Sequence, residues 1–256
     1  MIFETHAHYD DQQFDSDRES LLNSMVENDI GIIVNIGSDR RSWTEITKLI
    51  QDYDFIYGTI GIHPSVKDEL NQESLDLMEP LLSVDKILAV GEIGLDYYWD
   101  KDKESHDKQK WMFLAQMELA RKHHLPIVIH SRDAASDTFD IIKNHGKDLR
   151  GIVHCYSYSV EQARGYVKLG YYIGVGGVVT FANAKKIKEV VADIPLESLV
   201  LETDSPYLAP VPFRGKRNSS LNLPYVARAI SEIKGIEYEE VVNTTWENAK
   251  IFYGLS

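Results

Sequence analysis

Phe3-Glu4-Thr5-His6-Ala7-His8 decides how the rest of the chain is read. Ile2 and Phe3 open a strand-like run, and two histidines close it two residues apart. Alternate residues of a strand point to the same face, so His6 and His8 project together from one strand end. A strand can present two imidazoles to one metal ion in this way. Two histidines in an exposed turn would look the same in isolation, so the reading depends on how the other strands end.

Further along, Ile30–Ile36 is nearly all apolar and β-branched, as a strand covered on both faces should be, and Gly37-Ser38-Asp39 punctuates it. Phe55–Ile62 reads as a strand ending at His63-Pro64, where proline has no N–H to continue the ladder. Ile87–Gly91 runs into Glu92. Pro126–His130 and Gly151–His154 each stop on a histidine, Tyr171–Val175 follows, and Leu199–Asp204 closes on a carboxylate. Helical periodicity fills the intervals at 15–28, 41–52, 72–83, 104–124, 133–145, 160–169 and 183–192, with two more helices at 222–233 and 238–253. Leu21, Leu22 and Met25 are the expected apolar face of the first helix. Trp111, Leu114, Met117 and Leu119 are that of the longest.

Eight strands therefore alternate with helices at a period of roughly 25–35 residues, as βαβ units require. Alternation throughout implies a parallel sheet. Eight such units imply a closed α/β fold, a single (β/α)₈ TIM barrel over residues 1–256. A doubly wound open sheet is the competing architecture, and it would place a site at a switch point between two strands. Polar residues at the ends of strands one, three, four, five, six and eight suit a barrel mouth better. The stretch 205–221, rich in Pro, Gly, Ser and basic residues, reads as a long loop over that mouth.

Acidic residues outnumber basic ones 40 to 27, for a net charge of −13. That field disfavours non-specific adsorption to nucleic acid or anionic membrane. It does not exclude a nucleic-acid substrate, because bound cations and a basic loop reverse the sign inside a cleft. The single cysteine, Cys155, rules out an internal disulfide and points to the cytoplasm. Residues 1–20 hold no apolar signal core and no apolar run approaches ~18 residues, so neither export nor a membrane span is expected. A monomer or weak oligomer is expected.

In a parallel barrel all strand C-termini face the same way, so His6, His8, Glu92, His130, His154 and Asp204 should converge. A catalytic ion with an open position takes three to four ligands. Six groups therefore suffice for two divalent ions if one carboxylate is shared. His6, His8 and Asp204 are assigned to the first ion, His130 and His154 to the second, and Glu92 to the bridge. Four imidazoles and two carboxylates suit zinc, manganese or nickel, whereas magnesium prefers more oxygen. Each position has a plain structural alternative, such as a satisfied histidine at 130 or 154, or a turn-forming Asp204 before Ser205-Pro206. Glu92 is harder to explain that way, because an acid in an apolar, glycine-flanked strand is costly without a cation. Six such residues at the same ends of successive strands point to one site.

The chain resembles the TatD-type metal-dependent hydrolases, a branch of the amidohydrolase superfamily. The resemblance is carried by Thr5-His6-Ala7-His8, Gly61-Ile62-His63-Pro64, Gly91-Glu92-Ile93-Gly94-Leu95-Asp96-Tyr97-Tyr98, Ile129-His130-Ser131-Arg132-Asp133-Ala134, Val153-His154-Cys155-Tyr156-Ser157, Glu202-Thr203-Asp204-Ser205-Pro206-Tyr207-Leu208, Arg214-Gly215-Lys216-Arg217-Asn218, and the closing segment Asn243-Thr244-Thr245-Trp246-Glu247-Asn248-Ala249 through Gly254-Leu255. It implies a (β/α)₈ barrel, a divalent-metal site on the same six residues, and hydrolysis of DNA phosphodiesters by a deoxyribonuclease working from the 3′ end, on single strands or 3′ ends. Two segments depart from the family pattern. Asn218 leads into Ser219-Ser220-Leu221-Asn222-Leu223-Pro224-Tyr225, where an acidic residue, a proline and an aromatic are usual. Tyr156-Ser157-Tyr158 replaces an aromatic-Ser-Gly.

On this reading Glu92 and Asp204 serve catalysis through a metal-activated water, with Asp204 orienting it or accepting its proton. His63 binds a phosphate oxygen or protonates the leaving group, or is simply packed beside Pro64. Arg132, Arg214, Lys216 and Arg217 hold the phosphate backbone, unless they belong to a solvated loop. Tyr97, Tyr98, Trp99, Tyr156 and Tyr158 follow strand ends and could stack bases. The alternatives are a hydrolase of another ester, such as an aminoacyl-tRNA deacylase or a small phosphoesterase, and a metal-dependent scaffold without turnover.

Overall fold

The apolar, β-branched runs form eight strands: β1 Ile2–Ala7, β2 Ile30–Asn35, β3 Ile56–Ile60, β4 Ile87–Asp96, β5 Ile127–Arg132, β6 Gly151–Val153, β7 Tyr172–Val175 and β8 Leu199–Leu201. The helices between and after them are α1 Arg18–Asn23, α2 Arg40–Asp52, α3 Gln72–Met78, α4 Lys103–Lys122, α5 Ala135–His145, α6 Val160–Lys168, α7 Lys185–Asp193, α8 Leu223–Lys234 and α9 Tyr238–Tyr253. The structure is a computed structural model describing residues 1–99 and 101–255. The eight strands lie in one sheet in chain order. Parallel strands in that order, with helices between them, make the (β/α)₈ barrel that the alternation predicts. Among the described residues no helix is long and apolar enough to cross a membrane.

The chain groups into two compact units. The first comprises Met1–Asn35, Cys155–Lys168 and Tyr172–Ser256 and carries β7, β8, β1 and β2. Ile173, Gly174 and Val175 pair with Leu199, Val200 and Leu201. Asp204 N–H donates to His6 O at 2.9 Å, and Ala7 pairs with Ser205, so β8 and its extension lie beside β1. α9 holds these strands through side chains. The Asn248 amide donates to the Leu196 and Leu199 carbonyls, both at 2.8 Å, and Tyr253 hydroxyl donates to Thr5 O at 2.9 Å. Phe3 stacks on Tyr253 and meets Trp246 edge-on.

The second unit comprises Ile36–His154 and Leu169–Tyr171 and carries β3 to β6. Here α4 departs from its expected apolar face. Trp111 is 45% exposed, and the inward side is Gln109, Met112, Phe113, Gln116, Met117 and Ala120. These residues share one helical face at spacings of three and four. The two buried glutamines are there because irregular strand ends need partners. Gln116 pairs with Ile62 N and O at 2.7 and 3.2 Å, and Gln109 with Asp96 N and O at 2.8 and 3.0 Å. β4 also runs four residues beyond Glu92, to Asp96. Gly94 permits this, with φ at 144° and opposite His130 in the ladder, because a Cβ there would collide with His130 O. The first helix is shorter than its periodicity suggests. It covers residues 18–23 between 3₁₀ turns at 12–14 and 26–28, and left-handed Asp29 ends the segment.

Candidate metal centre

In the first unit the tips of β1 and β8 bring His6, His8 and Asp204 together. His6 Nε2 lies 3.2 Å from His8 Nε2, and Asp204 Oδ1 lies 3.8 and 3.5 Å from those two atoms. The backbone fixes both tips. Asp204 adopts φ 57°, its carbonyl accepts Tyr207 N–H, and His8 N–H donates to Ser205 O. Two ring nitrogens and a carboxylate oxygen thus turn to one point, a donor set that fits a borderline divalent ion.

Glu4 lies beneath them, fully buried. Its Oε1 accepts His6 N–H at 3.1 Å and Thr203 N–H at 2.9 Å, and its Oε2 accepts the Thr203 and Ser220 hydroxyls at 2.6 and 2.9 Å. Burial pushes this carboxyl up to about 8, against the pull of the four donors. One side chain thereby ties the backbone beside the histidine pair to the residue preceding Asp204 and to the segment 218–222. Glu202 is also buried and accepts Cys155 N–H at 2.6 Å.

The second unit gathers His130, His154 and His63 around Glu92. Glu92 Oε1 is 2.8 Å from His130 Nδ1 and 3.9 Å from both His63 Nε2 and His154 Nε2. His63, Glu92 and His130 each offer a ligand atom within 4.8 Å of the others. His63 meets His130 edge-on at 4.2 Å, and its Nδ1 is 2.7 Å from Ser65 Oγ.

The other side of the His130 ring meets a carboxylate that the sequence reading did not assign. Asp96 Oδ2 lies 3.1 Å from His130 Nε2, while Asp96 Oδ1 accepts Tyr98 N–H at 2.9 Å. Burial alone would raise the Asp96 carboxyl. The His130 imidazole and the Tyr98 amide outweigh burial and hold it below the usual range. The His130 ring thus has a carboxylate oxygen at each nitrogen, Glu92 Oε1 at Nδ1 and Asp96 Oδ2 at Nε2; with an ion bound on the Nδ1 side, Asp96 would be the outer carboxylate that orients a metal-binding histidine. The signal for Asp96 is visible in retrospect: Glu92, Gly94 and Asp96 share one strand face.

The basic residues behave differently from one another. Arg217 forks onto Asp17 at 2.7 and 2.5 Å and donates to Gln13 O. The Arg214 guanidinium lies 4.3 Å over the Phe181 ring, and Lys216 is exposed. Arg132 lies 3.8 Å over the Tyr98 ring. Tyr97 and Tyr156 are buried, with their hydroxyls on Asp137 and Ser159 O, so both are packing residues.

The family model for TatD related DNases matches residues 3–254. The chain belongs to the TatD family. It is 43% identical over 257 residues to the uncharacterized metal-dependent hydrolase YabD of Bacillus subtilis (strain 168), covering 100% of both chains. It is 31% identical over 256 residues to the uncharacterized metal-dependent hydrolase YjjV of Escherichia coli (strain K12), covering 99% and 98%. The crystal structure of YjjV matches the fold with a TM-score of 0.92 at 29% identity, covering 100% of this chain and 98% of the other. A TatD family hydrolase from Entamoeba histolytica gives 0.88 at 26%, with the same coverage. This TatD-family chain is a metal-dependent hydrolase, and its histidine and carboxylate clusters, His63, Glu92 and His130 among them, are groups that could bind the metal.

Proposed function

We propose that this TatD-family hydrolase is a deoxyribonuclease that removes nucleotides from 3′ ends, on single strands or frayed ends, using two divalent ions. His6, His8 and Asp204 hold one ion, His130 and His154 hold the second, and Glu92 is shared. The observation that carries this reading is that each set already aims its donor atoms at a common point: Nε2, Nε2 and Oδ1 at 3.2 to 3.8 Å in one, and Glu92 Oε1 against His130 Nδ1 at 2.8 Å in the other. Zinc, manganese and nickel suit the nitrogen-rich set better than magnesium.

Divalent ions bound there lower the pKa of water and polarise the oxygen of the scissile group. The chain's own residues supply the rest. Asp204 orients the attacking water and accepts its proton. Asp96 keeps the His130 ring turned with Nδ1 inward. His63, 3.9 Å from Glu92 Oε1, takes a phosphate oxygen or passes a proton to the leaving oxygen. Arg132, Arg214 and Lys216 hold the backbone phosphates. Arg217 contributes less because Asp17 already neutralises it. The lone cysteine fits a cytoplasmic enzyme, and we propose that it works as a monomer or weak oligomer.

The test is a substrate panel on purified protein reloaded with each metal in turn. Chelator-sensitive release of mononucleotides from the 3′ end of single-stranded DNA is the expected result. Deacylation of aminoacyl-tRNA, or cleavage of small phosphoesters, with DNA left intact under every metal would replace the nuclease reading with that of another esterase.

A further inference from the structure

Trp99 is 69% exposed and Tyr98 is 43% exposed, directly after β4. Large aromatic faces in water are unusual for a structural role, since burial is what makes such rings stabilising. Tyr98 meets Trp99 edge-on, with ring centroids 4.6 Å apart and planes at 89°, so the two rings are not stacked face to face. Arg132, the last residue of β5, places its guanidinium 3.8 Å over the Tyr98 ring and 5.8 Å from that of Trp99. The Lys101 ammonium lies 5.7 Å from the Tyr98 ring, held by Tyr97 O at 2.7 Å and 3.8 Å from Asp133.

Charge points the same way. Arg18, Arg40, Arg121, Arg164 and Arg217 each lie on a carboxylate. Among the described residues none pairs with the Arg132 guanidinium, in a chain with 40 acidic residues. A guanidinium placed over an aromatic ring still has N–H groups to offer an anion, and phosphate matches its fork. The platform is also tied to the candidate centre. Asp96 places one oxygen on His130 Nε2 and the other on the Tyr98 amide, so a single carboxylate links the imidazole to the first aromatic residue.

We propose that Trp99 and Tyr98 form a stacking platform for a nucleobase next to the scissile position, with Arg132 taking the adjoining phosphate. This rests on the reading above in one respect: it names what the same site recognises, a base-bearing single strand rather than a bare phosphoester. Stacking accepts any base, so recognition there is indifferent to sequence.

The test measures binding of two fluorescent single-stranded probes in chelator, an oligothymidylate and an abasic oligomer with the same number of phosphates. Cleavage of the oligothymidylate by metal-loaded enzyme is measured in parallel. The base-bearing probe should bind about tenfold more tightly, the worth of one stacked base. Trp99→Ala should abolish that preference, while Trp99→Phe should retain part of it. Arg132→Ala should weaken both probes and lower the salt dependence by about one phosphate contact. Trp99 is exposed enough that these variants keep the fold, which circular dichroism checks. Equal affinity for the two probes with DNA still cleaved overturns the platform and leaves the nuclease standing. A Trp99-dependent preference without cleavage upholds the platform and overturns the nuclease. Neither binding nor cleavage overturns both.

Discussion

Glu4 in the first unit and Asp96 in the second are both buried carboxyls beside candidate metal-binding histidines, yet they act on different parts of the chain. Glu4 spends its acceptors on two backbone amides and two hydroxyls. It therefore fixes where the strand tips are. Asp96 touches the imidazole itself and so fixes how that ring is turned. Burial raises the first carboxyl, while the adjacent imidazole keeps the second lowered. Removing Glu4 should therefore disturb the fold first, and removing Asp96 the chemistry of one ligand.

The largest effect lies outside that pair and sets its scale. Glu92→Ala removes the carboxylate that His130, His154 and His63 surround. Hydrolysis should fall by about a thousandfold or more, with metal content reduced, as elemental analysis and rate assays would show. Asp96→Ala should weaken metal binding by about 10–100-fold. A cobalt-substituted sample should show an altered visible spectrum, and Asp96→Asn should recover part of the loss. Unchanged affinity in the alanine variant would mean that Asp96 serves only the Tyr98 turn.

Glu4→Ala should destabilise the metal-free protein by about 2–4 kcal/mol, because four buried donors lose their acceptor. Denaturant titration checks this. The pH dependence follows from the direction of the shift. The folded-state value near 8 lies above the ordinary 4.5, so the folded protein binds this proton more tightly than the unfolded chain. That contribution is fully present below about pH 4.5 and is lost as pH rises through about 8. Thermal melts of chelated protein should fall over that window, and Glu4→Gln should flatten the slope. The same slope in the glutamine variant would assign it to another group. The smallest effect expected is for Arg217→Ala, whose side chain already answers to Asp17. DNA affinity should change by less than about threefold, against a clearly larger loss for Arg132→Ala.

Strand order and the gathering of histidines and carboxylates within each unit were legible because they depend on residue type at strand ends. His6 with His8, and Glu92 with His130 and His154, could be read from apolar runs that stop on a donor. The supporting groups were not legible in the same way. β4 seemed to end at Glu92, because an acid between glycines looks like a terminus. Its continuation depends on Gly94 accepting an unusual φ against His130 O, which is a tertiary condition. Glu4 sits inside a buried strand, where only its distant partners Thr203 and Ser220 explain it. On α4, Trp111 looked like core because aromatics usually are, but the inward face needed the amides of Gln109 and Gln116 to satisfy strand ends. Of the aromatics that follow strand ends, Tyr97 and Tyr156 are packed, whereas Tyr98 and Trp99 are exposed, a distinction that no local pattern encodes.

The anchoring of β1 by α9 has a consequence for biosynthesis. The strand bearing His6 and His8 is synthesised well before the segment with the Tyr253 hydroxyl that caps Thr5 O, 248 residues later, and the rings that flank Phe3. Until α9 is made, the nascent chain carries a histidine pair without its final support, so metal loading of that pair is expected to follow the synthesis of α9. A ribosome stalled before α9 should display a chain whose first strand is open to protease, and one stalled well after it a chain whose first strand is protected.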